Sequence, residues 1–137
     1  MNLELTKKQY RRLLDLVYIG NWILNSTREP DDRITDYDDV ESKIFSYAPG
    51  AGMSVVAQMR RNGAIGPSQM YEDGGIHDAI ADYEDGVFFE ILAEELAIRD
   101  MERESSAPGD EDELTSRIDE YIEEFEENGT DRIYIEK

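Results

Sequence analysis

The stretch LTKKQYRRLLDLVYIGNWILN, Leu5 to Asn25, decides the fold class. Thr6 followed three residues later by Gln9 fits a capping box, in which each side chain satisfies a backbone N–H left free at a helix start. Apolar residues then recur at Tyr10, Leu13, Leu14, Val17, Tyr18 and Trp22, the spacing of one helical face. The pattern predicts a helix that ends near Asn25. Its length and broad apolar surface make it the expected central helix of a mainly α-helical protein.

The same period continues outward from this helix. After a polar loop over 26–35, Thr35 or Asp36 caps a second expected helix reaching Ala48, with Tyr37, Val40, Ile44 and Tyr47 or Ala48 inward, and Pro49-Gly50 stops it. A weaker third helix is expected over 52–61, with Met53, Val56 and Ala57 inward and Asn62-Gly63 as its left-handed stop. Residues 62–75, with Gly63, Gly66, Pro67, Gly74 and Gly75, predict an irregular, mobile connection. Ile76, Ala79, Ile80 and Tyr83 predict a short fourth helix, which Asp85-Gly86 breaks before a fifth over 87–104. A short linker is expected at 105–109. Leu114, Ile118, Tyr121, Ile122 and Phe125 then give the last helix an apolar stripe, ended by Asn128-Gly129.

Both chain ends change period. Leu3 and Leu5 alternate with polar neighbours, as do Ile133 and Ile135, and alternation indicates short half-buried strands. The two ends are expected to pair. The predicted fold is thus mainly α: one acidic domain over 1–137, an irregular bundle of five to six helices with a minor strand pair from the N- and C-terminal segments.

Composition narrows the function. The 137 residues fit one domain, and the absence of cysteine excludes disulfides, zinc–thiolate sites and cysteine nucleophiles. The net charge of −19 is uneven: residues 1–29 hold five bases and three acids, and the rest hold nine bases and thirty acids. A field of that sign repels phosphate backbones and anionic membranes and favours basic partners. No run approaches the roughly 20 apolar residues of a membrane span. A cytoplasmic protein with no direct nucleic-acid or membrane contact is therefore expected.

The single histidine limits catalysis. His77-Asp78 resembles the core dipeptide of HD-type metal phosphohydrolases, but their metal shell needs several histidines. Any Ser–His–Asp triad would also need His77, and neither Ser54 nor Ser68 lies in a nucleophile elbow. Carboxylates are abundant, yet no acidic run fits the calcium-loop pattern. One enzyme reading is a magnesium-dependent all-α nucleotide pyrophosphohydrolase. Asp36/Asp39 or Asp38/Glu41 would form one acid pair and Asp82/Asp85 the other, with Arg60 and Arg61 toward phosphates. With 33 acids in the chain such pairs arise by chance, so this reading ranks third.

The block 110–127 holds ten acids and one base, Arg117. On the last helix these acids oppose the apolar stripe, so they form a solvated face or a surface that imitates the phosphates of DNA. Glu120, Glu123, Glu124 and Glu127 are its candidate contact residues. Tyr71, an aromatic in the glycine-rich connection with no packing assignment, marks the first place to look for a pocket. The leading expectation is a non-catalytic protein-interaction domain without cofactor or metal, partnered by a basic protein or a second copy in a homodimer. An acidic, DNA-mimicking inhibitor of a nucleic-acid-binding protein is the alternative.

Three segments carry a resemblance. The run Leu5 to Trp22, the run FFEILAEELAIRD from Phe88 to Asp100, and the ending Phe125-Glu126-Glu127-Asn128-Gly129 with its following strand pattern resemble a family of small bacterial helical proteins of unassigned function. The resemblance implies a cytoplasmic bacterial helical protein and transfers no functional residue. Residues 49–75 depart from its style.

Overall fold

Helix α1 spans Lys7–Asn25 and starts as the capping box requires. In the computed structural model, which describes residues 1–104 and 110–137, the Thr6 hydroxyl accepts from the Gln9 N–H at 3.2 Å and Gln9 Oε1 accepts from the Thr6 N–H at 2.9 Å. The expected linker 105–109 lies outside the described residues. Tyr10, Leu14 and Tyr18 are buried as the periodicity predicts, but the buried line then continues through two amides, Asn21 and Asn25.

Helix α2 spans Thr35–Phe45 and keeps only part of the expected inward face: Ile44 packs against the core and Ala48 is buried as expected. Glu41, Phe45 and the following Ala48 are buried, whereas Tyr37, Val40 and Tyr47 are exposed. Residues four apart share a face, so turning Phe45 inward carries Glu41 with it. The gain is aromatic packing: the Phe45 ring meets Tyr71 edge-on at 5.1 Å.

The third expected helix is instead a turn and a hairpin. Ser54–Val56 forms one 3₁₀ turn, and β1 (Ala57–Met59) pairs antiparallel with β2 (Ile65–Pro67). The register sets Ala57 opposite Pro67, Gln58 opposite Gly66 and Met59 opposite Ile65. Asn62-Gly63 serves this hairpin and not a helix end. Gly63 has φ +84°, and the Arg60 N–H donates to the Ala64 carbonyl at 2.7 Å. Asn-Gly suits both devices, because each needs a residue in the left-handed region.

This hairpin also replaces the strand pair expected from the chain ends. Neither 1–6 nor 130–137 forms a strand, and Leu3 and Ile135 are exposed. Residues 128–133 close into turns, with the Asp131 N–H donating to the Asn128 carbonyl and the Ile133 N–H to the Thr130 carbonyl. Alternation alone does not make a strand; it needs an edge to pair with and a face to bury.

The glycine-rich connection is mostly ordered into elements. Ser68 caps a single helical turn, α3 (Gln69–Tyr71), by accepting from the Tyr71 N–H at 3.2 Å. A wide π-type turn, Glu72–Ile76, follows and kinks at Gly74 and Gly75, the latter at φ +100°. Helix α4 spans His77–Glu104 without the break expected at Asp85-Gly86, and α5 spans Glu111–Asn128 from an Asp110 cap. A helix-interior glycine costs only about 1 kcal/mol relative to alanine, too little to interrupt a strongly helical flank. The described residues therefore hold four helices of more than one turn, not five to six.

The chain divides into two compact units, Met1–Ile80 and Ala81–Lys137. In the first, Tyr10, Leu14, Tyr18, Phe45, Ala48, Met53, Tyr71, Ile76 and Ile80 form the core. In the second, α4 and α5 form an antiparallel hairpin. Phe89 meets Phe125 at 5.2 Å, the Tyr121 hydroxyl donates to Asp100, and Arg117 bridges Glu104 and Glu113.

Candidate functional site

The acidic residues singled out from sequence lie on α5 of the hairpin. Glu120, Glu123 and Glu127 are exposed. Glu124 is half-buried and already engaged, accepting from Asn128 Nδ2 at 3.0 Å and from the Arg132 guanidinium at 3.2 Å. The two units differ sharply in charge. Met1–Ile80 carries nine bases and twelve acids, a net −3, and Ala81–Lys137 carries five bases and twenty-one acids, a net −16.

Tyr71 is not a surface residue. It is 1% exposed, packed edge-on against Tyr18 at 5.3 Å as well as Phe45, with the Arg11 guanidinium 4.8 Å above its ring. Its hydroxyl donates to Asp15 Oδ1 at 2.9 Å. Burial, with Asp15 beside it, pushes the phenol above its ordinary range. The ring belongs to the core because α3 turns it inward, which the glycine and proline content around it concealed.

The concave polar site lies elsewhere in the same unit. The last two turns of α1, helix α2, the hairpin turn and the π-type turn enclose a cleft of about 240 Å³. Tyr18, Asn21, Trp22, Asn25 and Ser26 line it from α1; Arg33, Glu41, Arg60 and Glu72 complete it. Asn25 is the clamp. Its Nδ2 donates to Asn21 Oδ1 at 2.7 Å and to the Ile34 carbonyl at 3.1 Å, and its Oδ1 accepts from the Ile34 N–H at 2.8 Å. One amide thus ties the end of α1 to the start of α2.

Asn21 passes the arrangement on by donating to Asp38 Oδ1 at 3.0 Å. Arg33 forks onto both oxygens of Asp38 at 2.6 Å, which holds that carboxyl below the usual range. Glu41 is treated differently. It is 5% exposed, and its near partner among the charged groups is Arg60 at 3.4 Å. Burial pushes the Glu41 carboxyl up, against the pull of Asn21 and Arg60. Arg60 itself lies over the bare Cα of Gly66, where a Cβ would come within 2.5 Å of its Nε.

The far wall joins α1 to the start of α4. The Tyr18 hydroxyl lies 2.7 Å from Nε2 of His77 and donates to Glu72 at 3.4 Å. Burial and the Glu72 charge push Tyr18 up to about 12. Trp22 meets His77 edge-on with ring centres 6.4 Å apart.

Three residues named for magnesium–nucleotide chemistry, Asp38, Glu41 and Arg60, do come together here. Cationic side chains already face both carboxylates, and Asp36, Asp39 and Arg61 stay exposed. Asp82 and Asp85 belong to the other unit. Among the described residues no cluster of three or more Asp, Glu or His is placed to hold a metal, and no helix is long and apolar enough to cross a membrane. Sequence reading missed Asn21, Asn25, Arg33 and Glu72. The available signal was the Tyr10–Leu14–Tyr18 line, whose continuation along the same helical face, by a step of three and then of four, lands on the two asparagines. No family model, curated protein or solved structure matches this chain.

Proposed function

We propose that the protein is a non-catalytic interaction protein whose Ala81–Lys137 hairpin docks on the basic surface of another protein. The observation that carries this reading is the concentration of a net −16 in that one unit. From Ala81 to Glu104, α4 is about 36 Å long at the standard helical rise. The unit therefore carries one net negative charge per roughly 2 Å of length, against about 1.7 Å for duplex DNA. Along α5, Glu120, Glu123 and Glu127 succeed one another at steps of about 4.5 and 6 Å. That density favours a specific kind of partner, one whose basic face otherwise contacts nucleic-acid phosphates. It opposes self-association through the hairpin, because a second copy would bring an equal negative field against it.

The test is displacement. A fluorescent DNA duplex is held by each of a set of purified basic DNA-binding proteins, and its release by this protein is followed through anisotropy over a salt series. Displacement of the duplex from at least one of them, weakening steeply with salt, is expected. The triple variant Glu120→Lys, Glu123→Lys, Glu127→Lys should weaken displacement at least tenfold. The equal change of net charge in the other unit, Asp31→Lys, Asp36→Lys, Asp39→Lys, should leave it nearly intact. Equal loss in both triples, no displacement at any salt, or dimerisation through the hairpin overturns the reading.

A further inference from the structure

Beyond the hairpin, the Met1–Ile80 unit contains a cleft that the interaction reading does not use. We propose that this cleft binds a small organic cation carrying a primary ammonium or guanidinium group, with Glu41 and Glu72 as its anionic contacts and Trp22 and Tyr18 as its aromatic walls.

The inference rests on an imbalance of pairing. Of the carboxylates around the cleft, Asp38 is satisfied by two short bonds from Arg33 and one from Asn21. Glu41 and Glu72 are not comparably held. The Glu41 side chain is 93% removed from solvent, yet its nearest charged partner stands at 3.4 Å and is itself 44% exposed. Glu72 receives the Tyr18 hydroxyl at 3.4 Å. A buried carboxylate whose one ion pair is long and reaches it from a half-exposed guanidinium is costly, and a second cation brought into hydrogen-bonding range relieves that cost. The charged groups facing the cleft are Arg33, Asp38, Glu41, Arg60 and Glu72, a net −1 that one monovalent cation neutralises. An aromatic face adds attraction for an ammonium or guanidinium and none for an anion. A volume of about 240 Å³ suits an amine of a few heavy atoms.

The alternatives fit less well. An anion would have only Arg60, because Arg33 is spent on Asp38. A divalent metal would need carboxylates converging without resident guanidinium groups, and the described residues hold no such cluster.

Trp22 is the only tryptophan and His77 the only histidine, and their rings meet edge-on beside the cleft. Both therefore report occupancy without ambiguity. The whole protein is titrated with methylammonium, butylammonium and methylguanidinium while Trp22 fluorescence and the His77 ring proton resonances are followed. Acetate, inorganic phosphate and magnesium serve as comparison ligands. Saturable binding of at least one amine is expected, with both reporters moving together.

Glu41→Gln removes the buried charge while keeping the shape, so it should fold and should weaken amine binding at least tenfold. Glu72→Gln should weaken it several-fold. Affinity should rise as pH climbs through the Glu41 titration, and Glu41→Gln should erase that limb. His77, which Tyr18 faces directly, is unchanged in that variant. The lysine triple variant of the hairpin should bind amines unchanged, so failure of the docking reading leaves this one standing. Binding of phosphate or magnesium in preference to the amines, or amine binding indifferent to Glu41→Gln, overturns the proposal.

Discussion

Truncating Asn25 to alanine tests whether one buried amide joins the two helices around the cleft. Asn25 is 1% exposed and takes part in three hydrogen bonds, two of them to the backbone of Ile34. Alanine deletes all three and leaves the Ile34 N–H, the Ile34 carbonyl and Asn21 Oδ1 without that partner. At about 1 kcal/mol net per bond the loss is about 3 kcal/mol. The space left by the side chain raises it to about 4 kcal/mol, a large part of the 5–15 kcal/mol that stabilises a typical domain. With a urea dependence of about 2 kcal/mol per molar, the midpoint should fall by about 1.5–2 M. Trp22 lies in the Met1–Ile80 unit, so its fluorescence follows the unfolding of that unit. Asn25→Asp should do no better. It keeps the acceptor for the Ile34 N–H but turns a second oxygen toward Asn21 Oδ1 and the Ile34 carbonyl. Hydrogen exchange at the Ile34 amide should accelerate in both variants. A loss under about 1 kcal/mol with Ile34 protection unchanged would refute the clamp.

Three further outcomes follow from particular contacts. Gly86→Ala should stabilise the protein by about 0.5–1 kcal/mol in thermal or urea unfolding, because Gly86 lies inside α4 and a Cβ there meets nothing within 4 Å. Destabilisation would restore the expected break. Tyr71→Phe should cost about 1–2 kcal/mol in urea unfolding by removing a donor to Asp15 while leaving the ring packing intact. Tyr18 has a folded-state pKa raised to about 12 from 10.0. Its stabilising contribution is therefore complete below about pH 10 and fades as pH rises through about 12. Alkaline unfolding should begin at the Met1–Ile80 unit, seen in Trp22 fluorescence, and Tyr18→Phe should flatten that alkaline limb.

Legibility varied with the kind of force at each residue. The start of α1 was readable because capping is local: Thr6 and Gln9 satisfy each other within one turn. The face of α2 was not, because periodicity counts Tyr37, Val40 and Tyr47 as inward candidates without knowing what awaits them. Phe45 finds the Tyr71 ring, and that tertiary contact outweighs the larger local stripe. Asn62-Gly63 reads as a stop, but a helix end and a hairpin turn ask for the same left-handed glycine. Only the pairing of Met59 with Ile65 separates them. At the cleft, Asp38, Glu41 and Arg60 were visible as chemistry, in a pairing chosen for a metal. Asn25 looked like the end of a helix and proved to be its anchor.

A helix with Tyr10, Leu14 and Tyr18 on one line has every local reason to continue that line with leucine. Two buried amides and a buried carboxylate opposite them are a poorer way to hold two helices together, since desolvation cancels most of what their hydrogen bonds return. The two asparagines do find mutual and backbone partners, so their presence is explained by geometry at the start of α2. Glu41 is not explained that way. Its neighbour Asp38 already accepts from Arg33 and Asn21, and glutamine at position 41 would keep the shape without the charge. A carboxylate held at 5% exposure beside an open volume, with its one counter-charge 3.4 Å away on a half-exposed arginine, makes physical sense when something else completes the pairing. Glu41→Gln should therefore raise stability at neutral pH while lowering amine affinity. A variant that lost both together would show that Glu41 serves the fold alone.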